Sequence, residues 1–365
     1  MKIVFAFPVL LIYLMMNSCK NNTTPFSNAN NLRGLADTVG FAHLDWQMDS
    51  VMNRINDLFR KQLASAVQPK ETVWKAAICP HDDYAYASWL YPAVIKNVKA
   101  KTVIIFGVAH KAKNLGLENQ LVFDSFKEWR GTYGKVKVSS LREKIMKILP
   151  EDMYVVNDSM QQVEHSVEAL IPFLQYRNRN VELVSILVPY MSLLRMDSIA
   201  THLSAAIHSV AFENNLSWGD DFALLISTDA VHYGDEEWGG QNYAPYGTDS
   251  AGYKQAMAHE HEILDNCFNS ELSDEKAERF YHYTVQDSDF REYKWTWCGR
   301  YSVPMGLKTA AKLQALRKMQ PLNGTVLGYQ TTIDHSMLPV TDLEMGTTAM
   351  ANMHHWVGFA SVGFK

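Results

Sequence analysis

Three histidines in this chain each stand just past an apolar, strand-like run. His81 follows Ala76-Ala77-Ile78-Cys79-Pro80, His110 follows the run beginning Val103-Ile104-Ile105-Phe106-Gly107, and His232 follows Leu224-Leu225-Ile226-Ser227-Thr228-Asp229. Far downstream lies Thr296-Trp297-Cys298-Gly299-Arg300. In an open α/β sheet, ligands gather in the crevice beyond the carboxyl ends of the strands. Imidazole, thiolate and carboxylate groups from separate strands could converge there on one metal ion. One histidine so placed would mean little. Three in equivalent places, with a Cys-Gly-Arg segment, describe a site.

Each segment also has a plainer reading. In Pro80-His81-Asp82-Asp83-Tyr84, Asp82 or Asp83 could orient the imidazole, but Asp-Asp after Pro is also a common turn composition. Gly107 is expected to let the chain turn sharply, so that His110 points into the crevice. In Glu164-His165-Ser166-Val167-Glu168, helix capping accounts for Ser166, and a positive helix end for Glu168. Capping leaves Glu164 and His165 unexplained. They could be a general acid/base pair or a clamp behind a ligand, and the clamp is the favoured reading. Asp229 and His232 are closely spaced donors after a strand. Gly299 permits close backbone approach, and Arg300 could hold Cys298 as thiolate or bind an anionic group. A lone Cys is also often a buried packing residue. The pairs His259/His261 and His354/His355 are read as surface or packing residues, because such neighbours on a helix do not share a face.

The elements that must position these groups alternate strand and helix. Strands are expected at 76–79, 102–106, 181–188 and 222–227, with late strands at 328–333 and 356–362. Helices are expected near 91–98, 141–149, 167–176, 196–210, 253–268, 274–284 and 304–318. Pro172 should kink the third of these or mark a late start. The pattern predicts an α/β fold, with a central mixed, largely parallel sheet flanked by helices. No linker or repeat divides residues 40–365, so one domain is expected there. No Gly-rich phosphate loop and no G-x-S-x-G elbow occurs.

The 365 residues are 47% apolar and 20% charged, with a net charge of −5 and no basic run. Nothing in this balance calls for nucleic acid or an anionic membrane surface as a partner. Lys2, the apolar stretch from Ile3 to Met16 and Ser18-Cys19 read as a lipoprotein-type signal over 1–18, with Cys19 lipidated. Residues 19–39 then read as a polar tether. This arrangement implies export, with a membrane contacted only through the lipid. Cys79, Cys267 and Cys298 remain, and an odd count flags a thiol with another use. A Cys79–Cys267 disulfide stays open at this stage.

Taken in order, five segments resemble the Memo family, the B component of the AmmeMemoRadiSam grouping. They are Pro80-His81-Asp82-Asp83-Tyr84, Gly107-Val108-Ala109-His110, Glu164-His165-Ser166, Ser227-Thr228-Asp229-Ala230-Val231-His232 and Cys298-Gly299-Arg300. Asp82-Asp83 stands where the family has Ala-Gly, and Val108 where it has Pro. The resemblance implies a fold like the class III extradiol dioxygenases. It also implies a metal at His81, His110 and Cys298, with Asp229 and His232 nearby. The expected ion is Fe(II), with Cu or Zn as alternatives. A redox enzyme is the leading expectation. A crevice that binds a small molecule or peptide without catalysis, and a zinc-type hydrolase, are the alternatives.

Overall fold

A computed structural model describes residues 31–236 and 242–365 of the chain. The expected signal peptide, the lipidation at Cys19 and the first part of the tether lie outside the described residues. No helix among the described residues is long and apolar enough to cross a membrane.

The fold is α/β, a single domain built on a large mixed, mostly parallel sheet with helices on both faces. Its centre is four parallel strands in the spatial order Glu182–Val188, Thr102–Val108, Phe222–Ser227 and Ala76–Cys79. Every residue of the last three is buried. Their unbroken apolar runs follow from a sheet covered on both sides. Side chains alternate between the faces. Ile78, Ile104, Phe106, Leu224 and Ile226 pack on one face, against Leu193–Glu213 and Ser302–Leu316 among other helices. Ala77, Val103, Ile105 and Leu225 join the core on the other, beneath Leu90–Ile95 and Ile171–Arg177. Cys79 and Cys267 belong to these two separate cores, which rules out the disulfide between them.

Beyond Ala76–Cys79 the sheet continues antiparallel through His355–Phe364 and Asn323–Thr331. On the opposite side it runs through Gly134–Val138 and Glu128–Gly131 to Leu32–Arg33. That last strand corrects the expected tether, because the folded unit begins at Asn31 and not at residue 40. Arg33 is wholly buried and pairs with the carboxylate of Glu168. Glu168 also accepts the amides of Ala36 and Asp37. It therefore anchors the entering chain while standing in the first turn of the helical segment that begins at Glu168. Ser166 does not cap either: its hydroxyl donates to the Val108 carbonyl at 3.1 Å. The expected helix at 167–176 starts late, as a 3-10 turn at Glu168–Leu170 followed by Ile171–Arg177 with Pro172 in its first turn. A first-turn proline costs no hydrogen bond.

Gly107 lies inside its strand and makes no turn. A Cβ there would stand 2.6 Å from Val167 and 2.9 Å from the Ser166 hydroxyl, so the glycine serves close packing beneath the site. Arg33→Ala would leave Glu168 buried without its counter-charge. We expect a loss of about 3–5 kcal/mol, read as a lower urea midpoint. A loss below about 1 kcal/mol, the scale of an exposed ion pair, would show that the entering segment lies outside the cooperative unit.

Candidate metal centre

Register places the chemistry. Cys79 pairs with Ser227 and Phe106 with Ile226, so these strands end at nearly one level. His81, His110 and Asp229 each follow two residues past a strand end. The Thr228 amide donates to the Cys79 carbonyl at 3.0 Å and extends the ladder toward the site. Cys298 arrives from the other direction, just before the Ser302–Leu316 helix. Val231 and Trp297 form an antiparallel bridge that ties its loop to the His232 segment. Gly299 allows the tight seat: a Cβ there would stand 2.1 Å from the Thr228 hydroxyl.

The hydrogen bonds determine which nitrogen of His81 faces the crevice. Ser227 Oγ lies 2.8 Å from His81 Nδ1, and it donates its single proton to the Ser166 carbonyl at 2.6 Å. The hydroxyl can therefore only accept from the ring. His81 carries its proton on Nδ1 and turns the lone pair of Nε2 toward Cys298 Sγ, 3.4 Å away. Burial, then the charge of His110, holds His81 far below the ordinary histidine range. The ring stays neutral, as a metal ligand must.

His110 is held differently. Its Nδ1 lies 2.9 Å from Glu164 Oε1, and its amide donates to Oε2 at 2.9 Å. Glu164 also accepts the amides of His165 at 3.0 Å and Ser166 at 2.9 Å. Burial works against the Glu164 charge, but His110 and these donors outweigh it and keep the carboxyl ionised. Burial lowers His110 too, yet Glu164 raises it more, and the net shift is upward. A carboxylate on Nδ1 leaves Nε2 for the crevice, the arrangement that orients metal-bound histidines. Glu164 thus holds the His110 ring through Nδ1. His165 stacks on His110 with ring centres 4.7 Å apart.

Cys298 Sγ accepts the Asp229 amide at 3.1 Å. Asp229 Oδ1 accepts the His81 amide at 2.9 Å, and Oδ2 lies 3.3 Å from His81 Nε2. Burial pushes the Asp229 carboxyl up to about 7. Burial, then the Asp229 charge, pushes the Cys298 thiol up, so without a metal it keeps its proton. His232 is lowered by burial and by His110, and stays neutral.

Donor atoms of His81, His110 and Cys298 all lie within 4.8 Å of one another, as do those of Asp229, His232 and Cys298. Bonds of about 2.0–2.3 Å put two ligands of one ion roughly 3–4 Å apart. The residues therefore fit a metal, with Asp229 or His232 in reach as a fourth donor.

A crevice of about 520 Å³ opens over these groups, with His81, His110, His165, Asp229 and His232 in its wall. Other expected roles are corrected. Asp82 and Asp83 do not touch the His81 ring; Asp83 binds the Thr348 amide and hydroxyl. Arg300 lies away from the thiol: its guanidinium stacks on Tyr293 at 3.5 Å and donates to the Arg291 carbonyl. A long side chain beside a cysteine in sequence need not share its pocket. His355 opens a strand, so the helical argument for the 354/355 pair does not apply, although His354 is an exposed partner of Asp235.

Sequence reasoning missed two residues. Ser227 sits in a quoted motif, and only its neighbours reveal its role. Glu260, set aside between His259 and His261, is wholly buried. It accepts from Trp295 Nε1 at 2.6 Å, Trp297 Nε1 at 2.8 Å, the Tyr329 hydroxyl at 2.8 Å and the Val231 amide at 3.3 Å. It ties the Cys298 loop to the His232 segment. Replacing Glu164 by Gln removes the charge that raises His110. In metal-free protein the His110 pKa should fall, read by NMR titration of the ring. An unchanged or higher value would show that Glu164 does not control it.

A profile of the Memo-like protein family matches residues 48–340. A MEMO1 family protein of Pyrococcus abyssi is 29% identical over 164 residues, covering 44% of this chain and 53% of that protein. One from Thermococcus kodakarensis is 28% identical over 164 residues, with the same shares. One from Saccharolobus islandicus is 28% identical over 190 residues, 49% of this chain and 63% of that protein. The chain thus spans between about half and two thirds of the length of these relatives. On the profile match over most of its length, this chain belongs to the Memo-like protein family.

Proposed function

We propose that this protein is a metal-dependent redox enzyme whose ion is held by His81, His110 and Cys298. The observation that carries the reading is the pairing of both histidines at Nδ1. Ser227 and Glu164 occupy those nitrogens, so both Nε2 atoms are available beside one thiol. Two imidazoles and a soft thiolate favour a transition metal over Mg or Ca. The family resemblance puts Fe(II) first, with Cu or Zn as alternatives. The bound ion would supply the electron chemistry. The protein's own part is to hold and move protons. Asp229, buried against His81 and Cys298, stands where it can take or give a proton. His232 is a neutral base in the same wall. His165 and Glu164 keep His110 in place. Phe41, Val39 and Val357 give the crevice apolar walls that limit water around a small organic ligand.

We further propose that the domain is exported and tethered by lipid at Cys19. Mass spectrometry of the native protein tests this: an intact Met1, or an unmodified Cys19, would refute the anchor.

The central test is metal content and chelator competition under reducing, anaerobic conditions. Cys298→Ser should weaken binding by about 10–100-fold or more, since even residues behind a ligand contribute that much. Cys267→Ser should change it little, because that thiol is buried in the apolar core on one sheet face. Equal occupancy and affinity in wild type and Cys298→Ser would remove Cys298 from the site. Oxygen uptake should require Fe or Cu. Uptake that is absent with both metals would exclude the redox reading.

A further inference from the structure

We propose a second ligand site outside the metal crevice, a pocket beside Arg300 that takes a carboxylate carried on an apolar body. The site does not depend on the metal.

Arg300 is a buried cation without a counter-charge. Among the described residues, four Lys or Arg side chains are buried: Arg33, Arg142, Lys308 and Arg300. Arg33 pairs with Glu168, Arg142 with Asp124, and Lys308 with Asp197 and Asp274. Arg300 has no such carboxylate. Its Nη2 donates to the Arg291 carbonyl at 2.8 Å, and its guanidinium carbon lies 3.5, 4.9 and 5.5 Å from the ring centres of Tyr293, Tyr301 and Tyr190. Aromatic faces attract a cation but carry no net charge. Nη1 is buried and has no hydrogen-bond partner. A charged donor buried without an acceptor is costly, and an anion beside it removes that cost.

A pocket of about 320 Å³ adjoins this guanidinium. Tyr190 and Arg291 belong to both, since they line the pocket and also touch Arg300, one through its ring and the other through its carbonyl. The loop after His110 separates the pocket from the crevice: Lys111 lines the crevice, whereas Lys113 and Leu117 line the pocket. The charges of the pocket wall nearly cancel. Arg291 is taken by Glu118, to which its Nε and Nη2 each donate at 3.0 Å. Lys113 then stands against Glu292. Arg300, behind the wall, is the one charge left over, and a single positive excess fits a monoanion. A carboxylate presents its oxygens in the plane that a guanidinium edge addresses. Leu117 and the Tyr190 ring supply apolar surface for the rest of the ligand. Because Nη1 is enclosed, the carboxylate reaches it as the Tyr190 ring in the pocket wall turns aside, exchanging a cation–π contact for a charge-assisted hydrogen bond.

The test compares benzoate with benzamide, which has the same shape and no charge, by NMR titration of the metal-free protein. Benzoate should bind about tenfold or more tightly, the scale of one charge-assisted hydrogen bond. Arg300→Gln keeps a polar side chain and removes the charge, and should abolish the preference. Lys113→Glu changes an exposed residue. It turns an excess of one positive charge into an excess of one negative charge, and should abolish the preference as well. Lys111→Gln, in the crevice wall, should leave it unchanged. Equal binding of benzoate and benzamide overturns the proposal. So does a preference that survives either Arg300→Gln or Lys113→Glu, and so does one lost in Lys111→Gln, which would put the carboxylate in the crevice. Should Arg300→Gln fail to fold, Lys113→Glu decides.

Discussion

The site depends on the register of three parallel strands. Pairing of Cys79 with Ser227, and of Phe106 with Ile226, ends the strands Ala76–Cys79, Thr102–Val108 and Phe222–Ser227 at nearly one height. The residues that follow must then leave the sheet together, into one crevice. A one-residue slip would turn alternate side chains to the opposite face and move the donors apart. The buried apolar faces prevent that slip. Leu224 and Ile226 belong to one core and Leu225 to the other, so a shifted strand would lose both sets of contacts.

Convergence alone does not make ligands of histidines, because each ring must also present the right nitrogen. Two different devices achieve this. For His81 it is a neutral chain, from the ring to Ser227 and on to the Ser166 carbonyl. For His110 it is a charged clamp, Glu164, stabilised by backbone amides. The neutral device keeps His81 uncharged in a buried position, whereas the carboxylate makes His110 the more basic ring. Ser166 and Glu164 come from one short segment, so a single stretch of chain orients both rings.

The walls of the crevice come from distant parts of the chain. The entering segment is fastened by Arg33 and Glu168 and contributes Asp37, Val39 and Phe41. The segment before the last strand contributes Thr348 and Ala349. The Gly346 amide donates to the Val39 carbonyl at 2.9 Å and joins the two. Glu260 performs the same task on the other side, where four donors hold the Cys298 and His232 loops together. The floor of the site is thus set by the sheet, and its outline by segments added around it.

The central strands and long helices were legible in the sequence because burial on two faces leaves unbroken apolar runs, and amphipathic helices leave periodic ones. The expected helix at 274–284 coincides with Asp274–Thr284. The short strands at Leu32–Arg33 and Leu121–Phe123 left no such pattern, being only two and three residues long. The convergence of His81, His110 and Cys298 followed from their placement after strands and from the ordered motifs. Roles that depend on orientation did not follow. Arg300 adjoins Cys298 in sequence, but its guanidinium stacks on Tyr293. Asp82 and Asp83 adjoin His81, but Ser227, 146 positions away, orients its ring. By itself the sequence determined which elements form and which donors stand at their ends, since local periodicity and chain order carry that information. Only the tertiary structure decided which neighbours fill each hydrogen bond and which nitrogen each histidine turns to the crevice, because those contacts join residues that sequence order does not relate.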